Sequence, residues 1–89
     1  MDAATVPADA GPALAALWHD ARGDWARAHA LSQEDEGAAG SWVHAYLHRK
    51  EGDLANARYW YARAGRTPPA KTITLDAERE MIARELLKA

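Results

Sequence analysis

Two histidines with the spacing of metal ligands stand in the middle of the 89-residue chain. His44 and His48 are four residues apart, so a helix would carry both imidazoles on one face, and Glu51 follows within one further turn. Imidazole and carboxylate groups are ligands for zinc and related divalent ions. The HExxH protease signature is absent, and a third distant ligand requires the fold to bring His19 or His29 close. Two partly exposed helix residues without an ion are the commoner explanation of such a pair.

The sequence contains no motif that indicates catalysis. Ser32 and Ser41 lack the setting of a nucleophile elbow, and no glycine-rich phosphate loop is present. Asp24 and Asp53 each follow a glycine and are expected to cap helices, which leaves no free pair of carboxylates for acid–base chemistry. We therefore predict a protein that is not an enzyme, with no catalytic residues and no cofactor.

A second group of residues combines aromatic rings with positive charge. Aromatic and arginine side chains contribute much of the binding energy at protein interfaces. The candidates for a protein-binding surface are Trp42, Tyr46, Arg49, Lys50, Tyr59 and Trp60. The alternative is that the rings belong to the core and the bases form its solvated rim, and the sequence leaves both interpretations open.

Composition limits the kinds of partner and compartment. The formal net charge of −2 argues against nucleic acid, which normally selects for a basic excess. Charge is nevertheless uneven, at −5 over residues 1–40 and +4 over residues 41–71. No cysteine is present, and no apolar run reaches the roughly 18 residues of a membrane span. The expectation is a soluble, cytoplasmic protein that binds neither nucleic acid nor membrane.

Apolar periodicity and capping residues predict an all-α fold of about five short antiparallel helices. Residues 1–8 are predicted to be a flexible tail and residues 9–89 a single domain. Within it we expect one helical hairpin at about 12–33, a second at about 41–65 with Ser41 as its N-cap, and a final helix at about 74–88 capped by Thr74. Segment 32–40, SQEDEGAAG, is predicted to be a polar connection.

The two predicted hairpins are related by an internal repeat. An offset of 29 residues aligns AALWHDARGDWARAHA (15–30) with HAYLHRKEGDLANARY (44–59) and gives six identical pairs. Gly23 and Asp24 align with Gly52 and Asp53, so the same pair of residues ends one helix and begins the next in both units. A duplicated helical hairpin explains this agreement.

The second unit resembles a tetratricopeptide repeat (TPR). In AYLHRKEGDLANARYWYARAGRTPP, the Gly52-Asp53 turn, the small residues Ala57 and Ala64 and the aromatic Tyr61 have the spacings of that family. The period of 29 is shorter than the usual repeat of about 34 residues. The segment also resembles a stretch of small bacterial proteins of unknown activity.

The TPR resemblance implies a scaffold that binds proteins, with the final helix as a cap on the open end of the core. The leading prediction is therefore a non-catalytic module that binds a protein partner or a second copy of itself, a homodimer being the simplest assembly. The alternative is a metal-binding or small-molecule-binding protein that uses His44, His48 and Glu51.

The aromatic triplet at 59–61 needs two different surfaces. Consecutive helix residues lie about 100° apart, so Tyr59, Trp60 and Tyr61 cannot share one face. Tyr61 falls on the apolar stripe with Leu54, Ala57 and Ala64 and is predicted to be core. Trp60 must then be covered either by the final helix or by a partner.

Overall fold

The chain is all-α over residues 11–88, the part that the computed structural model describes. Five helices follow in order: α1 Gly11–Ala21, α2 Trp25–Glu34, α3 Ala38–Glu51, α4 Leu54–Arg63 and α5 Leu75–Lys88. This confirms the predicted fold class, and none of these helices is long and apolar enough to cross a membrane. The predicted tail at 1–8 and the predicted helix start at Asp9 lie outside the described residues.

Two turns of the same construction join α1 to α2 and α3 to α4. Gly23 and Gly52 adopt φ of +86° and +90°, a left-handed conformation that is strained for residues with a Cβ. Asp24 and Asp53 follow, and each carboxylate accepts a hydrogen bond from the amide three residues later, at 3.0 and 3.3 Å. The predicted stop-and-start turns are therefore confirmed in both places.

Helix α3 forms the centre of the domain and contacts each of the other four helices. Its residues 40–48 are all buried, including two histidines and a serine. The apolar core around it comes mainly from small and aliphatic side chains of α1, from Ala28 of α2, from Tyr61 of α4 and from Ile82 of α5. A helix enclosed in this way has to satisfy its polar side chains inside the protein.

The predicted start of α3 is wrong by four residues. Ser41 is not its N-cap, because the helix begins at Ala38 and the Ser41 amide already donates to the carbonyl of Gly37. Only residues 35–37 connect α2 to α3. At Gly40 an added Cβ would lie 1.9 Å from the carbonyl oxygen of Asp35, so the glycine permits the connection to pack on the helix. Glycine within SQEDEGAAG thus marks close packing and not the loop that we expected.

The predicted apolar stripe of α4 is only partly correct. Ala57, Tyr61 and Ala64 are buried, whereas Leu54 at the start of the helix is half exposed.

Helix α5 is likewise only partly buried along its apolar residues. Thr74 caps it through a 3.0 Å hydrogen bond from the amide of Ala77, as predicted, and Ile82 is buried. Of the other apolar residues of α5, Leu75 and Leu86 are partly buried, and Met81 and Leu87 are exposed.

Buried carboxylates join the outer helices to α3. Asp20 of α1 is 2% exposed and accepts hydrogen bonds from the Tyr46 hydroxyl at 2.5 Å and from Lys50 Nζ at 2.8 Å. Burial, followed by the hydrogen bond from Tyr46 to this carboxylate, raises the pKa of the Tyr46 hydroxyl. The phenol therefore remains a donor throughout the ordinary pH range.

Glu78 of α5 plays the equivalent part on the other side of α3. It is fully buried, and it accepts hydrogen bonds from Arg49 Nη1 at 2.9 Å and from the Tyr61 hydroxyl. Glu78 is in the first turn of α5, but it lies inside the protein, because Arg49 and Tyr61 supply the partners that a buried carboxylate needs.

Replacement of Glu78 by alanine should destabilise the domain by about 3–5 kcal/mol, since it leaves a buried arginine and a buried tyrosine without their acceptor. Glu85→Ala is the matched control on the same helix. Glu85 pairs with Lys88 at the surface, so this change should cost less than about 1 kcal/mol. Urea unfolding of both variants measures the difference, and equal losses would contradict the structural role of the buried pair.

Candidate metal centre

Three histidines from two helices converge beside α3. His29 comes from α2, and His44 and His48 come from adjacent turns of α3. The Nε2 atoms of His29 and His44 are 2.9 Å apart, and one ligand nitrogen from each of the three residues lies within 4.8 Å of the other two. The fold thus brings His29 to the predicted pair, whereas the imidazole of His19 packs against Trp18.

Two tryptophans hold the rings in place. Trp25, at the start of α2, stacks on His29 with ring centroids 4.8 Å apart, and its Nε1 donates to the carbonyl of Leu47 at 3.0 Å. Trp60 of α4 stacks on His44 at 4.1 Å. Because stacking restricts ring rotation, both imidazoles have a defined orientation before any ligand arrives.

A carboxylate fixes the third ring. Glu51 Oε1 lies 2.5 Å from Nδ1 of His48. This contact leaves Nε2 of His48 for a ligand, because the other ring nitrogen is already engaged. Metal-binding histidines commonly carry such a carboxylate on the nitrogen away from the ion, where it sets the tautomer and raises ligand basicity. The structure therefore places Glu51 behind His48, where it can orient the ring without binding an ion itself.

Burial favours the neutral form of two of the three histidines. His44 is 4% exposed, and desolvation, together with the nearby His29 and His48, lowers the pKa of His44 to about 4. Desolvation and His48 also lower the pKa of His29, against a smaller opposing effect of Glu51. Neutral imidazole is the form that binds metals, so protons do not compete for these two ligands near neutral pH.

Only small movements separate this cluster from a metal site. Zn–N bonds of about 2.0–2.1 Å at tetrahedral angles put ligand nitrogens about 3.3 Å apart. His29 and His44, now 2.9 Å apart, would need to separate by a few tenths of an ångström. The other separations are no more than 4.8 Å, so these nitrogens would have to approach one another by up to about 1.5 Å to bind the same ion.

A second acidic group lies next to the cluster. His48, Glu51 and Asp53 also have one potential ligand atom each within 4.8 Å of one another. Both acids are exposed, however, and Asp53 already caps α4. This group is less suited to an ion than the buried histidines, because water and the helix cap compete for its oxygens.

Two of the candidate protein-binding residues, Trp42 and Tyr46, lie inside the domain. Trp42 is 5% exposed and is covered by the Arg66 guanidinium, 3.7 Å from its ring centroid, and Tyr46 is fully buried. The internal ion pairs described above engage Arg49 and Lys50. The side chain of Tyr59 is exposed at the surface. A protein-binding surface built on these residues stays a prediction.

Trp60 is covered in a way that neither of the two predictions from the sequence included. Neither α5 nor a partner is needed to cover it, because its ring stacks on His44 of α3 and is partly buried. Arg63 adds a cation over the Trp60 ring, with Cζ 5.3 Å from the centroid. The aromatic triplet therefore contributes Tyr61 to the core, Trp60 to the histidine cluster and Tyr59 to the surface.

Comparisons with known protein families, curated proteins and solved structures find no match to this chain. The description that the structure supports is a small five-helix domain with an internal histidine cluster.

Protonation of His44 should make the metal-free protein sensitive to mild acid. The unfolded chain binds a proton near pH 6.5, whereas native His44 binds one only near pH 4. The free energy of unfolding should therefore fall as the pH falls from about 6.5 towards 4, by up to about 1.4 kcal/mol per pH unit from His44 alone. His29 acts in the same direction.

Urea unfolding between pH 7 and 5 in the presence of EDTA measures this slope. His44→Gln removes the titrating group and should give a shallower slope than the wild type over the same interval. Imidazole NMR resonances identify which histidine titrates in the native state. Equal slopes in the two proteins, or a His44 resonance that titrates near pH 6.5, would contradict the prediction.

Proposed function

We propose that this domain binds a divalent transition-metal ion through Nε2 of His29, His44 and His48, with Zn²⁺ as the leading candidate. The observation that carries the proposal is the convergence of three imidazoles, two of them buried, with one ligand nitrogen from each within 4.8 Å of the other two. Burying three polar rings costs free energy, and apolar side chains at these positions would fill the same space without that cost.

The chemistry of the ligands favours this class of ion. Neutral imidazoles bind zinc, nickel and copper, whereas calcium and magnesium prefer oxygen ligands. Three histidines are also the ligand set of zinc sites that retain an open coordination position. The carboxylate of Glu51 behind His48 and the stacked tryptophans supply the supporting contacts that such sites use to orient their ligands.

The ligands come from both halves of the proposed repeat. We interpret α1–α2 and α3–α4 as two TPR-like hairpins, an interpretation supported by the matching glycines, caps and turn geometry at 23–24 and 52–53. His29 belongs to the second helix of one hairpin, and the other two histidines belong to the first helix of the next. The metal site thus lies at the junction of the hairpins.

Tag-free protein treated with EDTA should gain thermal stability when Zn²⁺ or Ni²⁺ is added. At an ion concentration of 100 times Kd the gain is about 2.7 kcal/mol, which corresponds to about 10 °C or more in a domain of this size. His29→Gln, His44→Gln and His48→Gln should each abolish the rise, and His19→Gln, which lies outside the cluster, should retain it.

Two further variants separate the alternative ligand sets. Glu51→Gln should weaken metal binding by about 10- to 100-fold, as expected for a group that orients a ligand. Asp53→Asn should have no effect on affinity, because asparagine also caps helices. The proposal fails if the wild type shows no rise, or if Asp53→Asn abolishes it while His29→Gln does not.

Self-association is a second candidate function, favoured by a groove between α4 and the segment before α5. The groove encloses about 350 Å³ and includes apolar surface from Leu54, Pro69 and Leu75. Its charged lining residues are all basic: Arg49, Arg58 and Lys71. The described residues 11–40, which comprise α1, α2 and the first residues of α3, carry five acids and two bases, so this segment of a second copy is opposite in charge to the groove.

Arg58→Glu should shift the monomer–dimer equilibrium towards monomer, because it reverses the charge on one edge of the groove. Arg84→Glu, an exposed arginine on α5, is the matched control and should leave the equilibrium unchanged. Sedimentation equilibrium at low and high salt measures both. A wild type that remains monomeric at millimolar concentration would exclude this assembly.

A further inference from the structure

A polar cavity opens beside the histidine cluster. It encloses about 570 Å³, and His44 forms part of its wall together with Trp60 and Arg63. Hydroxyl and amide groups of Ser32, Ser41 and Gln33 contribute further hydrogen-bonding surface. A space of this size accommodates a small molecule but not a folded partner.

The cavity has charges of opposite sign in its lining. Arg63 carries the positive charge, while Asp35 and Glu36 of the connection carry the negative charge. Asp35 packs against Gly40, which is one helical turn before His44 on the same face of α3. One turn corresponds to about 5.4 Å along the helix axis, so the carbonyl of Asp35 lies about one turn along the cavity wall from His44.

The proposed metal ion would determine which class of ligand binds in this cavity. Three protein ligands leave at least one position of a tetrahedral ion open. Of the three proposed ligands, His44 lines the cavity, so a molecule in the cavity would approach the ion beside His44. An ion with three neutral ligands keeps its full charge of +2, which favours an anionic group as the fourth ligand.

We propose that the cavity binds a small zwitterion, a molecule with a carboxylate at one end and an ammonium group a few ångströms away. The carboxylate occupies the open position of the ion and is attracted by Arg63, and the ammonium group lies towards Asp35 and Glu36. This inference rests on the proposed metal site.

The charges disfavour the related classes of ligand. An amine without a carboxylate meets the ion and Arg63 with a charge of the same sign. A carboxylate without an amine leaves the two acids of the connection unmatched, and a dicarboxylate brings a second negative charge towards them. The best match is therefore one charge of each sign.

Cobalt-loaded protein allows metal binding and ligand binding to be measured separately. The visible absorption of Co²⁺ reports its coordination, and its intensity during the loading titration gives the metal affinity. The probes are 4-aminobutyrate, butyrate and butylamine, which share a four-carbon skeleton. We expect 4-aminobutyrate to change the spectrum at the lowest concentration, butyrate to require about tenfold more, and butylamine to produce no change.

Three variants test the two ends of the cavity. Arg63→Gln should weaken both carboxylates by about 10- to 100-fold, the range for loss of an interaction with a charged group. Glu36→Gln should weaken 4-aminobutyrate selectively and bring it closer to butyrate. Arg84→Gln, an exposed arginine on α5 that lies outside this cavity, should behave as the wild type.

The possible failures are distinguishable. If Co²⁺ does not bind, the metal proposal itself fails. If Co²⁺ binds with equal affinity to all variants but none of the probes changes its spectrum, only the zwitterion proposal is overturned. A stronger response to butyrate than to 4-aminobutyrate, or to butylamine than to either, overturns it as well.

Discussion

The enclosure of α3 on almost every side is the constraint on which the rest of the structure depends. A surface helix can leave its polar residues in water, but α3 carries serine, histidine, tyrosine and arginine side chains into the interior. Each such group must find a partner within the protein. Asp20 and Glu78 therefore come inward from α1 and α5 to meet Tyr46 and Arg49. The histidines are satisfied by one another and by Glu51.

Local signals in the sequence were sufficient to predict the helices and the two glycine–aspartate turns. Glycine followed by aspartate has a direct physical reading, because one residue accepts positive φ and the next caps a helix. These signals placed the turns at 23–24 and 52–53 and the cap at Thr74 correctly. The same reading failed at Gly40, where glycine is required by a contact with Asp35 and not by a turn.

Contacts between residues that are distant in the chain could not be predicted from the sequence. Spacing of four identified His44 and His48 as neighbours, but the contribution of His29 depends on how α2 packs against α3. Periodicity likewise could not show that Glu78 is buried, since the arginine and tyrosine that make burial tolerable lie on other helices. Trp60 looked like an interface residue because its cover is a histidine, a side chain that hydropathy patterns do not count as core.

The position of the histidines across the hairpin junction has a mechanical consequence. Hairpins stacked in a repeat can in principle open one at a time, since each contacts only its neighbour. An ion held by His29 on one side and by His44 and His48 on the other would close the chain into a short loop through the connection at 35–37. The hairpins would then have to separate together with release of the ion. The junction, which the hydrogen bonds from Tyr46 and Lys50 to Asp20 already stabilise, would gain a second link that makes unfolding of the domain more cooperative.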